Sequence, residues 1–215
     1  MTATARTTTQ AVVAALGEVK VVPVLRSPDA RSCIETARDL VRGGLTVIEV
    51  TFSTPDALAA IAALAAVPGC IVGAGTVLTP QQAADAVAAG ATFLVAPVDP
   101  PWFVDTAHEL GVLAIPGCAS PTEIHSAHAR GADLIKVFPI ARLGGAAYLR
   151  DLLAPMPDLP LMATGGVRTA DVPALLDAGC IAVGLGSIHT DEALGGSVET
   201  RARSALAIAR GGDRP

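Results

Sequence analysis

The chain has 215 residues, of which 51 % are hydrophobic and only 16 % are charged, and its formal net charge is −5 at pH 7. This length is enough for one well-buried core. The acidic balance argues against a nucleic-acid partner held by a basic surface.

The ends of the chain are expected to lie outside the core. Residues 1–10 are polar and rich in threonine, without the apolar stretch of a secretion signal. We therefore expect a cytoplasmic protein with a flexible tail at 1–9, one domain at 10–211 and a second tail at 212–215.

Neither a membrane span nor a metal site is expected. Residues 57–84 carry no charge, but Pro68-Gly69 and the glycines at 73 and 75 interrupt them, whereas a span needs about 20 continuous apolar residues. The four cysteines are far apart and form no CxxC pair, which is typical of buried thiols in a reducing cytosol. None has metal-ligand spacing with a histidine.

Short apolar runs alternate along the chain with alanine-rich helical patterns. The predicted strands are VVPVL (21–25), TVIEV (46–50), CIVGA (70–74), TFLVA (92–96), VLAIP (112–116), LIKVF (134–138), LPLMA (159–163) and CIAVG (180–184). The helical patterns between them include 33–43, 80–90, 120–131 and 169–179. Several end at glycine and several begin at Ser, Thr or Pro, as helix ends often do.

This alternation predicts an α/β fold with a parallel sheet covered by helices. Eight such units favour a single-domain (β/α)8 TIM barrel with a short N-terminal helix. An open doubly wound sheet is the alternative, and it requires a glycine-rich GxGxxG turn after the first strand. The segment that follows this strand, 25–29, contains no glycine.

Two charged residues lie within these apolar strands. Side chains alternate between the faces of a strand, so Lys136 shares one face with Phe138 while Ile135 and Val137 share the other. Glu49 is likewise opposite its apolar neighbours in the second strand. The pattern therefore directs both charges into the barrel interior.

A lysine removed from water can be a neutral, nucleophilic amine near pH 7. Such an amine attacks a ketone to form an iminium, and a carboxylate nearby can move the protons. The alternative is that Lys136 and Glu49 form a buried structural ion pair, which is costly to desolvate.

Glycine-rich loops follow three of the predicted strands. GAGT (73–76) follows the third strand, TGGV (164–167) the seventh and GLGS (184–187) the eighth. Many barrels bind phosphate through backbone N–H groups after strands seven and eight. These last two loops therefore predict a phosphate site.

With these residues in place, the chain resembles the bacterial class I aldolases that cleave 2-keto-3-deoxy-6-phosphogluconate, some of which also act on 4-hydroxy-2-oxoglutarate. The motifs that carry this resemblance, in order, are VVPVLR (21–26), GGLTVIEVTF (43–52), IVGAGTVLTPQQ (71–82), LVAP (94–97), IPGCASPTE (115–123), IKVFP (135–139), ATGGV (163–167) and VGLGS (183–187).

The resemblance implies that Lys136 forms the Schiff base and that Glu49 is the general acid/base. It implies no cofactor, a homotrimer, and a small, phosphorylated keto acid as the substrate. The substrate-binding residues it implies are Arg26 for the carboxylate, Thr76, Pro97 and Phe138 for the keto-acid pocket, and Thr164, Gly165, Gly166, Gly186 and Ser187 for the phosphate.

The chain departs from the family pattern at two positions. Ser53 stands where many members carry a substrate-binding arginine, and Val98 stands where glycine is common and is expected to narrow the pocket. Ser53, with PGCAS and GLGS, also resembles relatives that act on the galactonate epimer. A 2-keto-3-deoxy-6-phosphogalactonate aldolase is therefore one alternative. Two others are a non-covalent phosphate-binding isomerase or epimerase and a non-enzymatic scaffold built on this barrel.

Overall fold

Strands and helices alternate throughout the chain. The computed structural model describes the backbone of residues 3–211 and the side chains of residues 11–211. The strands are β1 (Val21–Leu25), β2 (Val47–Thr51), β3 (Ile71–Gly75), β4 (Phe93–Val95), β5 (Leu113–Ile115), β6 (Gly117–Cys118), β7 (Ile135–Val137), β8 (Leu161–Thr164) and β9 (Ala182–Leu185). The α-helices are α1 (Ala3–Val19), α2 (Ala30–Arg42), α3 (Ala57–Ala65), α4 (Pro80–Ala88), α5 (Phe103–Glu109), α6 (Pro121–Ala129), α7 (Ile140–Leu143), α8 (Ala146–Leu153), α9 (Val172–Asp177) and α10 (Val198–Ala209).

All strand pairs are parallel, in the order β5-β4-β3-β2-β1-β9-β8-β7-β6. The two ends of this sheet, β5 and β6, are separated only by Pro116, which has no N–H to continue the ladder. They are one strand with an interruption, so the sheet closes on itself. The prediction of a (β/α)8 barrel is confirmed.

The loops nearest the carboxyl ends of the strands are fixed by helix caps. After β3, Thr79 accepts a hydrogen bond from the backbone N–H of Gln82 and Pro80 opens α4. After β6, Ser120 and Glu123 form a reciprocal capping box that begins α6. These local signals are present in the sequence and explain why both helices begin close to their predicted positions.

Helix α1 contacts the barrel at β1, β2 and β9. Val12, Leu16 and Val19 of this helix are buried. Its backbone begins at Ala3 and so extends into 1–9, the segment predicted as a flexible tail, while the predicted tail at 212–215 lies outside the described residues. Within residues 3–211, no helix combines the length and the apolar composition needed to cross a membrane.

Glycine makes room for large side chains inside the barrel. Gly73 pairs with Glu49 across β2 and β3, and a Cβ atom at residue 73 would lie 2.3 Å from the ring of Phe93. That ring is fully buried. Any side chain larger than that of glycine at position 73 would therefore overlap the Phe93 ring in the barrel interior.

Candidate active site

The residues predicted to form the site line a single cavity of ≈ 390 Å³ at the carboxyl ends of the strands. The predicted residues in its lining are Arg26, Glu49, Thr76, Pro97, Lys136, Phe138, Thr164, Gly165, Gly166, Gly186 and Ser187. Four further lining residues had no individual role assigned from the sequence: Val24 and Thr51, and Val167 and Gly184 of the two predicted phosphate loops. The predicted set is therefore brought together in space, although its members come from strands far apart in the chain.

Lys136 lies in the middle of β7 and is only 5 % exposed. Its backbone lies between two neighbouring segments of the sheet. The N–H of Lys136 donates to the carbonyl of Pro116 on one side, and on the other side Lys136 is in register with Met162 of β8. The Nζ atom lies 5.2 Å from the centroid of the Phe138 ring. The amine is thus inside the barrel, as the alternation in the sequence predicts.

Glu49 is fully buried, and neither of its carboxylate oxygens has a hydrogen-bond partner among the described residues. Burial raises the pKa of its carboxyl, while the positive charges of Lys136 and Arg26 oppose that shift. A structural ion pair with Lys136 would be hydrogen bonded to repay its desolvation. The geometry therefore contradicts that alternative and leaves a carboxyl group able to accept or donate a proton.

The backbone at the end of β3 leaves space for this carboxyl group. A Cβ atom at Gly75 would lie 2.0 Å from Oε1 of Glu49, so only glycine leaves the carboxylate its present position. The next residue, Thr76, has a φ of 61°, a left-handed conformation that is strained for a β-branched side chain. Strain of this kind is concentrated at ligand sites.

Arg26 follows β1 and lies exposed at the rim of the cavity. Its charge acts on the buried Glu49 carboxyl, whose pKa it lowers. One cation thus lies at the rim while a second, Lys136, lies in the interior, and the carboxyl group of Glu49 is influenced by both.

The loops after β8 and β9 form another part of the wall. Gly165 and Gly166 have φ values of 96° and 72°, and a Cβ atom at residue 165 would lie 2.7 Å from the Phe138 ring. Thr164 is 5 % exposed, and its Oγ1 is buried without a hydrogen-bond partner among the described residues. Ser187 is exposed at the opening.

A protein-family model for the aldolase family described as "KDPG and KHG aldolase" matches residues 12–199. This chain belongs to that family. The resemblance predicted from the sequence is therefore confirmed, and family members are aldolases, which are carbon–carbon lyases.

Comparisons with individual proteins support the same family assignment. A 2-dehydro-3-deoxy-phosphogluconate aldolase of Treponema pallidum is 41 % identical over 72 % of this chain and 74 % of its own length. A KHG/KDPG aldolase of Escherichia coli K12 is 37 % identical over 75 % and 78 %. The crystal structure of a 2-keto-3-deoxy-6-phospho-gluconate aldolase from Zymomonas mobilis covers 94 % of this chain and 97 % of its own, with 30 % identity and a TM-score of 0.82.

The sequence assigned no role to Thr51 in this family member, and Val98 does not lie where it was expected. Strand alternation predicts that Thr51 shares the inward face of the second strand with Glu49, and both residues line the cavity. Val98 was expected to narrow the cavity. It is 51 % exposed and lies outside the set of described residues that line the cavity.

We expect the substitution Gly75→Ala to displace the Glu49 carboxylate, because the new methyl group would overlap Oε1. Turnover of a 2-keto-3-deoxy-6-phosphogluconate substrate should fall by about 10²-fold or more, the usual contribution of a general acid/base. Steady-state kinetics would measure the change.

The matched control is Gly17→Ala in α1, where the nearest atom to the new methyl group is 4.0 Å away. This variant should retain the activity of the wild type. Unchanged turnover in a folded Gly75→Ala protein would contradict the role given to the space beside Glu49.

Proposed function

We propose that this protein is a class I aldolase that cleaves 2-keto-3-deoxy-6-phosphogluconate to pyruvate and glyceraldehyde 3-phosphate through a Schiff base on Lys136. The observation that carries the proposal is a buried amine and a buried, unpartnered carboxyl group in one cavity of a family member. An amine so enclosed is suited to covalent catalysis.

In the first half of the reaction, the Lys136 amine attacks the C2 ketone, and loss of water leaves a protonated imine. Glu49 removes the proton of the C4 hydroxyl, directly or through a water molecule. The C3–C4 bond then breaks, its electrons flow into the imine to form an enamine, and C4 leaves as the aldehyde carbon of glyceraldehyde 3-phosphate.

In the second half, Glu49 returns its proton to C3 of the enamine, which restores an imine. Water adds to C2, the C2–N bond breaks, and pyruvate and the free amine are released. The iminium withdraws electrons from the breaking bond, so the proposed mechanism needs no cofactor. A carboxyl pKa raised by burial suits a group that must accept and then donate a proton near neutral pH.

Both ends of the substrate have candidate partners in the same cavity. At the rim, the Arg26 guanidinium would bind the carboxylate, a pairing that is often bidentate. Thr76, Pro97 and Phe138 would enclose the keto acid between that end and Lys136.

At the other end, backbone N–H groups of the loops after β8 and β9 would hold the phosphate. The residues assigned to the phosphate are Thr164, Gly165, Gly166, Gly186 and Ser187. The family description, which names both KDPG and KHG, supports 4-hydroxy-2-oxoglutarate as a second substrate, cleaved to pyruvate and glyoxylate.

The relatives described above favour the gluconate-series aldolase over the galactonate-series enzyme and over a non-covalent isomerase. The non-covalent alternative also makes a different chemical prediction, because it forms no adduct with pyruvate. Borohydride reduces an imine to a stable amine, so a trapping experiment separates the two.

We expect reduction with borohydride in the presence of pyruvate to add one pyruvate-derived group to the protein, on Lys136. The chain contains only two lysines, Lys20 and Lys136, so peptide mass spectrometry identifies the site directly. Lys136→Ala should abolish both the adduct and turnover, whereas Glu49→Gln should slow turnover and still allow some adduct.

The matched control is Lys20→Arg, between α1 and β1 at the other end of the barrel. It should form the adduct and turn over substrate as the wild type does. Normal turnover in a Lys136→Ala protein would overturn the proposed mechanism.

We expect the Glu49 carboxyl to titrate above the range of an exposed glutamate, because burial raises its pKa. Infrared difference spectra of wild type against Glu49→Gln, recorded across pH, would give the midpoint. Arg26→Gln removes a positive charge that lowers this pKa, so the midpoint should move further upward. A midpoint equal to that of an exposed glutamate in both proteins would contradict this.

We further propose that the protein is a homotrimer located in the cytoplasm. Leu78 and Val98, which follow β3 and β4 at the cavity end of the barrel, are the large apolar side chains that stay most exposed among the described residues, at 49 % and 51 %. The strands that precede them, β3 and β4, are paired, and exposed apolar patches often mark a subunit contact.

Light scattering coupled to size-exclusion chromatography should give three times the mass of one chain. Leu78→Glu combined with Val98→Glu should shift this mass toward the monomer, because charges are costly to bury at an interface. A wild-type protein that elutes as a monomer at micromolar concentration would contradict the trimer.

A further inference from the structure

A chain of three hydrogen bonds lies beneath the Arg26 side chain. Nε of Arg26 donates to Oγ of Ser53 at 2.9 Å, and the hydroxyl oxygens of Ser53 and Thr51 are 2.7 Å apart. Oγ1 of Thr51 in turn donates to the backbone carbonyl of Leu25 at 2.9 Å. This series of hydrogen bonds therefore begins and ends on consecutive residues, Arg26 and Leu25.

The direction of these hydrogen bonds is determined by their ends. A carbonyl oxygen can only accept, so the single hydroxyl proton of Thr51 is used on Leu25. Thr51 must then accept from Ser53, whose own proton is used in that bond. The lone pairs of Ser53 remain for the N–H of Arg26, a donor under any conditions since arginine does not lose its proton in proteins. When successive hydrogen bonds all donate in the same direction, each polarises the next and strengthens it.

The hydrogen bonds between Arg26, Ser53, Thr51 and Leu25 are anchored on rigid parts of the barrel. Thr51 is the last residue of β2 and is 1 % exposed. Strands β1 and β2 pair in fixed register, with Leu25 opposite Val50. Ser53, by contrast, is exposed, so its hydroxyl connects a buried, fixed threonine to a guanidinium at the rim.

We propose that Ser53 is a positioning residue that holds the Arg26 guanidinium over the cavity for the carboxylate of the keto acid, an inference that rests on the proposed function. Using Nε for the serine leaves four N–H groups on the two terminal nitrogens of Arg26. Those nitrogens form the fork that binds a carboxylate through two parallel hydrogen bonds.

Ordering the long, exposed Arg26 side chain before the substrate arrives reduces the entropy lost on binding. An arginine at a protein surface samples many rotamers, and ordering it on binding weakens affinity. The hydrogen bond to Ser53 orders the Arg26 side chain in the free protein. It also holds the positive charge that acts on the Glu49 carboxyl.

The test measures how much pyruvate is needed for half-maximal borohydride trapping on Lys136. Ser53→Ala should raise this concentration by about tenfold, the usual effect of losing a hydrogen bond to a charged group. The maximal adduct at saturating pyruvate should be unchanged, because the amine itself is unaffected. Ser53→Thr retains the hydroxyl and should restore wild-type half-saturation.

Two further proteins separate positioning from a general structural effect. In the double variant Arg26→Ala/Ser53→Ala, half-saturation should equal that of Arg26→Ala alone, because the serine acts only through the arginine. Ser197→Ala removes another exposed, hydrogen-bonded serine hydroxyl, at the start of α10. It should leave pyruvate half-saturation unchanged.

Unchanged half-saturation in Ser53→Ala, or effects of the two substitutions that multiply in the double variant, would overturn the positioning role. Absence of any adduct in the wild type would instead overturn the proposed function, and the role of Ser53 with it. Adduct formation on Lys136 together with non-additive loss of pyruvate affinity is the result that supports both.

Discussion

A buried carboxyl group without a hydrogen-bond partner is the constraint around which this barrel is arranged. Glu49 lines the cavity but is fully buried, and neither of its carboxylate oxygens has a partner among the described residues. Burying such a group is costly, and the nearby charges of Lys136 and Arg26 only partly offset the rise in its pKa. The rest of the fold offsets this free-energy cost, and the strands fix the position of the carboxyl group. Gly75 leaves the space that the carboxylate occupies.

The position of Lys136 depends in the same way on how the barrel closes. Strand β6 pairs with β7 and sets Gly117 opposite Lys136, after Pro116 has interrupted the ladder. A Cβ atom at Gly117 would lie 2.5 Å from the carbonyl carbon of Pro97, so glycine allows the loop after β4 to approach β6, the neighbour of the lysine strand. The strand segment that closes the sheet therefore also lies beside the buried amine.

The interior and the rim of the cavity are built differently. In the interior, charged groups are fixed by strand register and surrounded by tightly packed residues, and they are the groups proposed for chemistry. At the rim, Arg26 is exposed and would move freely if Ser53 and Thr51 did not connect it to β1 and β2. Rigid strands thus hold the groups proposed for chemistry directly, whereas the arginine proposed to bind the carboxylate depends on hydrogen bonds to Ser53 and, through it, to the ends of β1 and β2.

The sequence by itself determined the strand and helix alternation, the inward direction of Lys136 and Glu49, and the glycine loops after the last strands, because each is a local pattern of period or composition. Local patterns could not show that Glu49 and Lys136 remain unpaired, that Val98 lies outside the cavity lining, or that Ser53 contacts Arg26. Those features depend on distances between residues far apart in the chain. Such distances exist only once strand register and barrel closure have been fixed by packing.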